Sequence, residues 1–199
     1  MNYPKTISNL IECFKKFPGI GEKTAERLAL ETLKLDDEII ELFSKSVKEV
    51  KEKTKKCKKC GSLSEEELCD ICQNENRNHK IICIVEDSKN VIQFEKIGVF
   101  KGVYHVLGGL ISPLEGINPE DLSIKSLINR INDENPEEII LAIKPSIEGE
   151  TTSLYIRKLL EGVNIKISKI AYGIPIGADI DYIDPMTLEI ALEDRTTIS

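Results

Sequence analysis

Two Cys-x-x-Cys pairs constrain this chain more than any other feature: Cys57 with Cys60, and Cys69 with Cys72. Each short pair can bring two thiolates to one metal ion, and the ion then ties the two pairs together. The spacing therefore predicts a structural zinc site. Because all four positions are cysteine, no coordination position is left open for a substrate, which argues against catalytic zinc.

Disulfides or a redox-active pair are the alternatives to zinc. The sequence has no recognisable signal peptide and no apolar run of membrane length, so we expect a cytoplasmic protein whose thiols stay reduced. The two remaining cysteines, Cys13 and Cys83, lie within apolar patterns, and both are predicted to be buried.

The hydrophobic pattern differs on the two sides of the cysteine cluster. Before it, apolar residues recur at helical spacing, and after it short apolar runs alternate with amphipathic stretches. Strands are predicted at 81–85, 103–107, 138–143 and 165–172, and helices at 88–97 with Ser88 as a cap, at 122–131 and at 151–160. This alternation predicts a parallel sheet with helices on both faces.

In the amino-terminal part, helices are predicted over residues 3–16 and from Glu22 onward. A glycine-rich turn separates them, in the sequence Phe-Pro-Gly-Ile-Gly at 17–21. Gly19 and Gly21 leave backbone N–H groups uncovered where the second helix begins, and such groups favour a phosphate. Ile20 can point back between the helices. Lys23 and Arg27 are four residues apart, so they project from one side of the second helix beside the turn. An ordinary glycine turn between two helices is the alternative.

The charge of the chain is unevenly distributed. The net charge is −7. Residues 1–80 carry 16 basic and 15 acidic residues, whereas residues 81–199 carry 11 and 19. Eight lysines lie between positions 45 and 59. A local positive surface can bind phosphate on an acidic protein, although the lysines also suit an ordinary solvated helix face.

Acidic residues follow two of the predicted strands. Glu86 comes directly after the first strand, and Glu148 and Glu150 fall in a predicted loop after the third, on either side of Gly149. Ligands of parallel sheets bind at the carboxyl ends of the strands. Three carboxylates meeting there could hold Mg²⁺, although solvated loop acids explain the pattern equally well.

Taken in order along the chain, these parts resemble the RecR family of bacterial recombination mediators. The turn and second helix resemble the helix-hairpin-helix DNA-binding motif, and the α/β part opens with Ile-Val-Glu at 84–86. The resemblance extends to the stretches 109–117, 145–152 and 170–177. It implies a helix-hairpin-helix region at 1–54, the four-cysteine zinc motif and a linker at 55–79, a Toprim domain at 80–175, and at 176–199 a carboxyl-terminal tail that contacts another subunit.

The resemblance also implies a function. RecR-like proteins are non-enzymatic scaffolds that form ring-shaped oligomers able to surround DNA. With RecO and RecF they load RecA on gapped DNA coated by single-strand binding protein. Lys23 and Arg27, together with the 19–21 hairpin, match the family's DNA contacts. Glu86, Glu148 and Glu150 match acidic positions near its partner-binding surface. A bacterial, nucleoid-associated location follows.

Two departures bear on the rival hypothesis of a magnesium-dependent Toprim nuclease or strand-transfer enzyme. Catalytic Toprim enzymes carry Asp-x-Asp where this chain has Glu148 and Glu150, and Lys144 stands where the family commonly has asparagine. A lysine there would neutralise a carboxylate and weaken a magnesium site. A small-molecule nucleotide binder is a third hypothesis, but no phosphate loop is present.

Overall fold

Three helices form the first of two units in the computed structural model, which describes residues 3–197. They are α1 (Lys5–Phe14), α2 (Glu22–Thr32) and α3 (Asp37–Lys53). Helix α1 packs against α2 around Ile11, Ala25 and Ala29, and Ile20 of the turn packs against the same cluster, as predicted. Helix α3 buries none of its own residues.

The second unit begins at residue 55 with the cysteine-containing segment. Strands β1 (Lys55–Lys56) and β2 (Leu63–Ser64) pair in antiparallel fashion, and the short helix α4 (Asp70–Gln73) follows. We refer to residues 55–74 as the zinc module.

A four-stranded, fully parallel sheet forms the centre of the second unit, which confirms the predicted fold class. Its strands are β3 (Asn78–Val85), β4 (Gly102–Val106), β5 (Glu138–Ala142) and β6 (Lys166–Lys169), in the spatial order β4-β3-β5-β6. The helices between them are α5 (Ser88–Ile97), α6 (Ile124–Glu134) and α7 (Ile147–Leu159). A 3₁₀ turn (Ile180–Tyr182) and α8 (Pro185–Glu193) complete the described chain.

Hydrophobic clusters cover both faces of the sheet. Strand β3 contributes to both clusters, because successive side chains of a strand point to opposite sides. Ile84 faces the cluster that includes Leu127 of α6 and Ile156 of α7. Its neighbours on β3, Cys83 and Val85, belong to the opposite cluster, which holds Val91 of α5. Burial on both faces explains why residues 81–85, the second part of β3, are all apolar in sequence.

Several local predictions were wrong. Strand β3 starts at Asn78, inside the predicted linker, and β6 is shorter than the predicted strand. Helix α5 is capped by Asp87, whose carboxylate accepts from the backbone N–H of Lys89 at 2.7 Å, and not by Ser88. Cys83 is buried as predicted, but Cys13 is exposed.

Within residues 3–197, no helix combines the length and the apolar character that crossing a bilayer requires.

Candidate functional site

The turn between α1 and α2 has the geometry of an anion-binding hairpin. Gly19 adopts φ +81°, a left-handed conformation that favours glycine. Gly21 precedes α2 in an extended conformation without a side-chain cap. Among the described residues, Ala25 supplies the first N–H of this helix that bonds to a main-chain oxygen, that of Gly21. The earlier N–H groups are therefore available to an external acceptor.

Two cationic side chains lie on α2 close to this turn. Lys23 and Arg27 are exposed, and neither forms an ion pair with any residue in the described range 3–197. Glu22, which precedes Lys23 in sequence, pairs instead with Lys15, whose Nζ lies 2.6 Å from it and 2.8 Å from Glu12. The hydrogen bonds to Glu12 and Glu22 raise the pKa of Lys15. Lys23 and Arg27 therefore stay available to an external anion.

The four cysteine sulfurs of the zinc module lie within 4.8 Å of one another and are buried. The Sγ atoms of Cys60 and Cys69 are 3.6 Å apart, close to the separation of about 3.8 Å that tetrahedral zinc with Zn–S bonds of about 2.3 Å requires. Backbone N–H groups donate to two of the sulfurs, from Ser62 to Cys60 at 3.5 Å and from Cys69 to Cys57 at 3.3 Å. The donor set and its geometry fit a structural zinc ion.

Neighbouring thiols affect the charge of Cys69. Side-chain contacts with Cys60 and Cys72 lower the pKa of the Cys69 thiol below its ordinary value. Thiolates are the form that binds zinc.

The zinc module is joined to the sheet through the backbone. The carbonyl of Cys60 accepts a hydrogen bond of 2.7 Å from the N–H of Val106 on β4. Lys59, between two zinc ligands in sequence, pairs with Glu134 of α6 at 3.2 Å. The cysteine cluster and the α/β sheet are therefore parts of one unit.

A buried polar network continues from Glu134. Arg130, which is 5% exposed, bonds to Glu134 at 3.1 Å and donates to the carbonyl of Tyr104 on β4 at 2.7 Å. His105 lies in the same region, with its Nε2 2.9 Å from the carbonyl of Ser123. Burial is the main cause that lowers the pKa of His105 to about 4, so this ring is neutral at pH 7.

A second arginine contacts the same edge strand. Arg77 donates from Nε to the carbonyl of Gly102 at 2.9 Å and pairs with Glu95 of α5 at 2.6 Å. Tyr104 also donates to Glu95, at 2.7 Å. These contacts hold α5 against the edge strand.

At the acidic edge of the sheet, lysines accompany the glutamates. Glu86 follows β3 as expected, and Lys144, after the neighbouring β5, pairs with it at 3.7 Å, as the lysine at this position predicted. Lys169 pairs in the same way with Glu150. Among the described residues, the cysteines are the one group of three or more metal-ligating side chains that meet within 4.8 Å. The three glutamates do not assemble into such a cluster.

The two later glutamates lie in a helix and not in the predicted loop. Helix α7 already begins at Ile147, because the Ser146 hydroxyl caps it by accepting from the N–H of Gly149 at 3.2 Å. Glu148 and Glu150 occupy its first turn, where the helix dipole stabilises negative charge. The hydrogen bond from Ser146 lowers the pKa of Glu148. Gly149 itself packs tightly against the carbonyl of Lys144.

Sequence reasoning missed the polar network behind the zinc module. Arg130 lies between Leu127 and Ile131 on the buried side of α6, and a charged residue on an apolar helix face was the available signal. Its partner on β4 is 26 residues away, and no local pattern identifies it.

A hairpin suited to phosphate, a four-cysteine zinc module and a covered parallel sheet together define a metal-containing, nucleic-acid-binding class of protein. Comparison with family models assigns each part. Residues 7–51 match the RecR helix-hairpin-helix, residues 54–74 the RecR zinc finger domain with four cysteine ligands, residues 80–171 the Toprim domain, and residues 173–196 the RecR C-terminal family.

Relatives that match over nearly their whole length belong to the same family as these models. The chain is 49% identical over 199 residues to a recombination protein RecR of Prochlorococcus marinus strain AS9601, with all of both chains covered. It is 46% identical over 196 residues to that of Staphylococcus saprophyticus, with 98% of this chain and 99% of the relative covered. The chain belongs to the RecR family. It is thus a DNA-binding protein of recombinational repair with a structural zinc site, as predicted.

Proposed function

We propose that the protein is a non-enzymatic scaffold that grips DNA through the α1–α2 hairpin and, with RecO-like and RecF-like partners, loads RecA on gapped DNA coated by single-strand binding protein. The observation that carries the proposal is the contrast in charge between its two polar surfaces. Lys23 and Arg27 have no acidic partner within residues 3–197, whereas Glu86 and Glu150 are each paired with a lysine. Lys23 and Arg27 are therefore available to bind phosphate.

Binding at the hairpin would not depend on base sequence. Backbone N–H groups at Gly19–Gly21 and two flexible cations suit the phosphodiester backbone, and base edges are read by other kinds of contact. Sequence-independent binding suits a factor that acts wherever a gap occurs. The location that goes with this role is the bacterial cytoplasm or nucleoid.

DNA binding can be tested by fluorescence anisotropy with a labelled gapped duplex over a range of salt concentrations. Lys23→Ala with Arg27→Ala should weaken binding and reduce the slope of log K against log salt by about two, since each phosphate contact contributes about 0.9. Lys89→Ala with Lys125→Ala removes the same charge from exposed positions of the other unit and serves as the control. Equal losses in both double variants would reject the hairpin as the binding surface.

The absence of catalysis is part of the proposal, and the paired state of the acids supports it. We expect a labelled gapped duplex to stay intact when incubated with the protein and Mg²⁺. If strands are cleaved, and Glu86→Gln abolishes the cleavage, the scaffold proposal is wrong.

A homo-oligomeric ring completes the proposed function, and two exposed apolar surfaces support it. On α3, Leu42, Val47 and Val50 are 65%, 55% and 66% exposed. In the carboxyl-terminal segment, Ile176 and Tyr182 are almost fully exposed. Exposed apolar residues at helical spacing are typical of helices that pack against another subunit.

A further inference from the structure

A groove separates the zinc module from helix α5. Its cavity volume is about 700 Å³, within the range of roughly 300–1,000 Å³ that is usual for ligand-sized pockets. Ser62 to Ile71 of the zinc module line one wall, and Ser88 to Lys96 line the other. We call this feature the zinc–helix groove.

Apolar side chains line the inside of the groove. Val91 and Ile71 also belong to the core between α5 and the sheet. Leu63 and Ile92, on opposite walls, remain 56% and 48% exposed. An apolar side chain inserted between them would bury surface that this chain leaves in water, which favours binding.

The rim of the groove is acidic. Glu65, Glu66 and Asp70 lie on the zinc-module side, and all three are exposed. None of them forms an ion pair with any residue of the described chain, whereas the adjacent Glu67 pairs with Lys58. The α5 side contributes Glu95, which already pairs with Arg77, and one cation, Lys96.

This combination restricts the occupant. Phosphates would be repelled by the unpaired carboxylates, which excludes nucleic acid. The chain's own carboxyl-terminal segment, 176–197, carries six acidic residues and one arginine. The acidic rim would repel this segment as well. A cavity of this size admits a few side chains and not a whole domain.

We propose that the zinc–helix groove docks a protein partner through a short segment in which apolar side chains alternate with lysine or arginine. The apolar side chains enter between Leu63 and Ile92, and the cations meet Glu65, Glu66 and Asp70. The groove shares no residue with the α1–α2 hairpin or with the glutamates at the carboxyl edge of the sheet. DNA and the partner therefore do not compete for the same contacts.

Cys69 lines the groove and is also a ligand of the proposed metal site. Occupation of the groove should thus perturb the metal centre. Cobalt in place of zinc makes the perturbation visible, because its absorption bands depend on the geometry of the four sulfurs.

The test uses the full-length, cobalt-substituted protein and a labelled synthetic peptide of alternating leucine and lysine, followed by anisotropy and cobalt absorption. The wild type should bind and its cobalt bands should shift. Glu65→Lys with Glu66→Lys, and separately Leu63→Ser with Ile92→Ser, should weaken binding about tenfold, the equivalent of about 1.4 kcal/mol. All four side chains are exposed, and unchanged cobalt spectra without peptide would show that the variants fold.

The matched control is Glu75→Lys with Glu161→Lys, which makes the same change in net charge at exposed positions outside the groove. Its affinity should stay at the wild-type level. Three results would overturn the proposal: an equal loss in the control, no loss in either groove variant, or stronger binding of a synthetic peptide of residues 176–197, which would make the groove a self-docking site.

Discussion

The two units of this chain organise their apolar residues in opposite ways. Residues 3–54 form three helices but bury only Ile11, Ala25 and Ala29 in their cluster, and α3 leaves its apolar side uncovered. In the second unit, two dense clusters enclose the sheet from both faces. The sheet unit therefore buries much of its apolar surface within itself, whereas the helical unit leaves many of its apolar side chains exposed.

Removal of the metal should produce the largest difference in stability between the two units. Apparent free energies of zinc binding in zinc fingers are about 10–16 kcal/mol, so Cys72→Ser or chelation should unfold residues 55–74 and loosen β4. Helices α1 and α2 have no cysteine ligand and should keep their protection. Hydrogen exchange measured by mass spectrometry tests this, with the exposed Cys13→Ser as the control. Equal loss of protection in both units would contradict the comparison.

Matched truncations in the two units should give the next largest effect. Ile84→Ala empties part of the sheet core and should lower the free energy of unfolding by about 2–5 kcal/mol. Leu42→Ala on α3 should cost about 0.5 kcal/mol or less in dilute protein, because that side chain is already in water. Urea denaturation measures both.

The same face of α3 can be tested for assembly by light scattering. Leu42→Ser with Val50→Ser should reduce the mass of the oligomer without lowering the thermal stability of the sheet unit. The control Leu114→Ser changes a leucine that is 99% exposed elsewhere and should leave the mass unchanged. An unaltered oligomer in the α3 variant would show that this face is not a subunit interface.

A smaller effect concerns pH. The pKa of His105 is lowered by burial from 6.5 to about 4 in the folded protein, so the unfolded chain binds more protons between these values. Stability should therefore fall as the pH drops from about 6.5 towards 4, by about 2 kcal/mol at pH 5. The nearby charges are Arg130 and Glu134.

His105→Gln keeps a side-chain N–H for the carbonyl of Ser123 and removes the titration. Urea denaturation at pH 7 and pH 5 should show a loss of stability about 2 kcal/mol smaller in this variant than in the wild type. Equal losses would mean that other groups carry the acid sensitivity of the sheet unit. The helical unit has no histidine in residues 3–54, so the effect belongs to one side of the comparison.

The sequence predicted best what depends on neighbouring residues. The cysteine spacing predicted the metal cluster, and the continuous apolar run predicted the buried central strand, because both signals are complete within a few positions. Cys13 was misjudged because it lies two residues from Ile11, roughly 200° around the helix and away from its buried face. The first turn of α7 was mistaken for a loop although Ser146 offered a capping signal.

Contacts between distant segments could not be predicted in this way. Arg130 and Tyr104, Lys59 and Glu134, and the two walls of the zinc–helix groove meet only after the sheet has formed. No pattern within a few positions links the residues of each pair, and only the topology brings them together.

The contacts along β4 have a consequence for aggregation. One main-chain group is occupied at each of three alternate residues of this edge strand: the carbonyl of Gly102 by Arg77, the carbonyl of Tyr104 by Arg130, and the N–H of Val106 by the carbonyl of Cys60. A strand from another chain cannot add where these hydrogen bonds are already made. The opposite edge, β6, begins and ends with lysine, a residue that discourages edge-to-edge pairing. Loss of the metal should uncover one end of β4, and we therefore expect the metal-free protein to aggregate more readily than the zinc-bound protein.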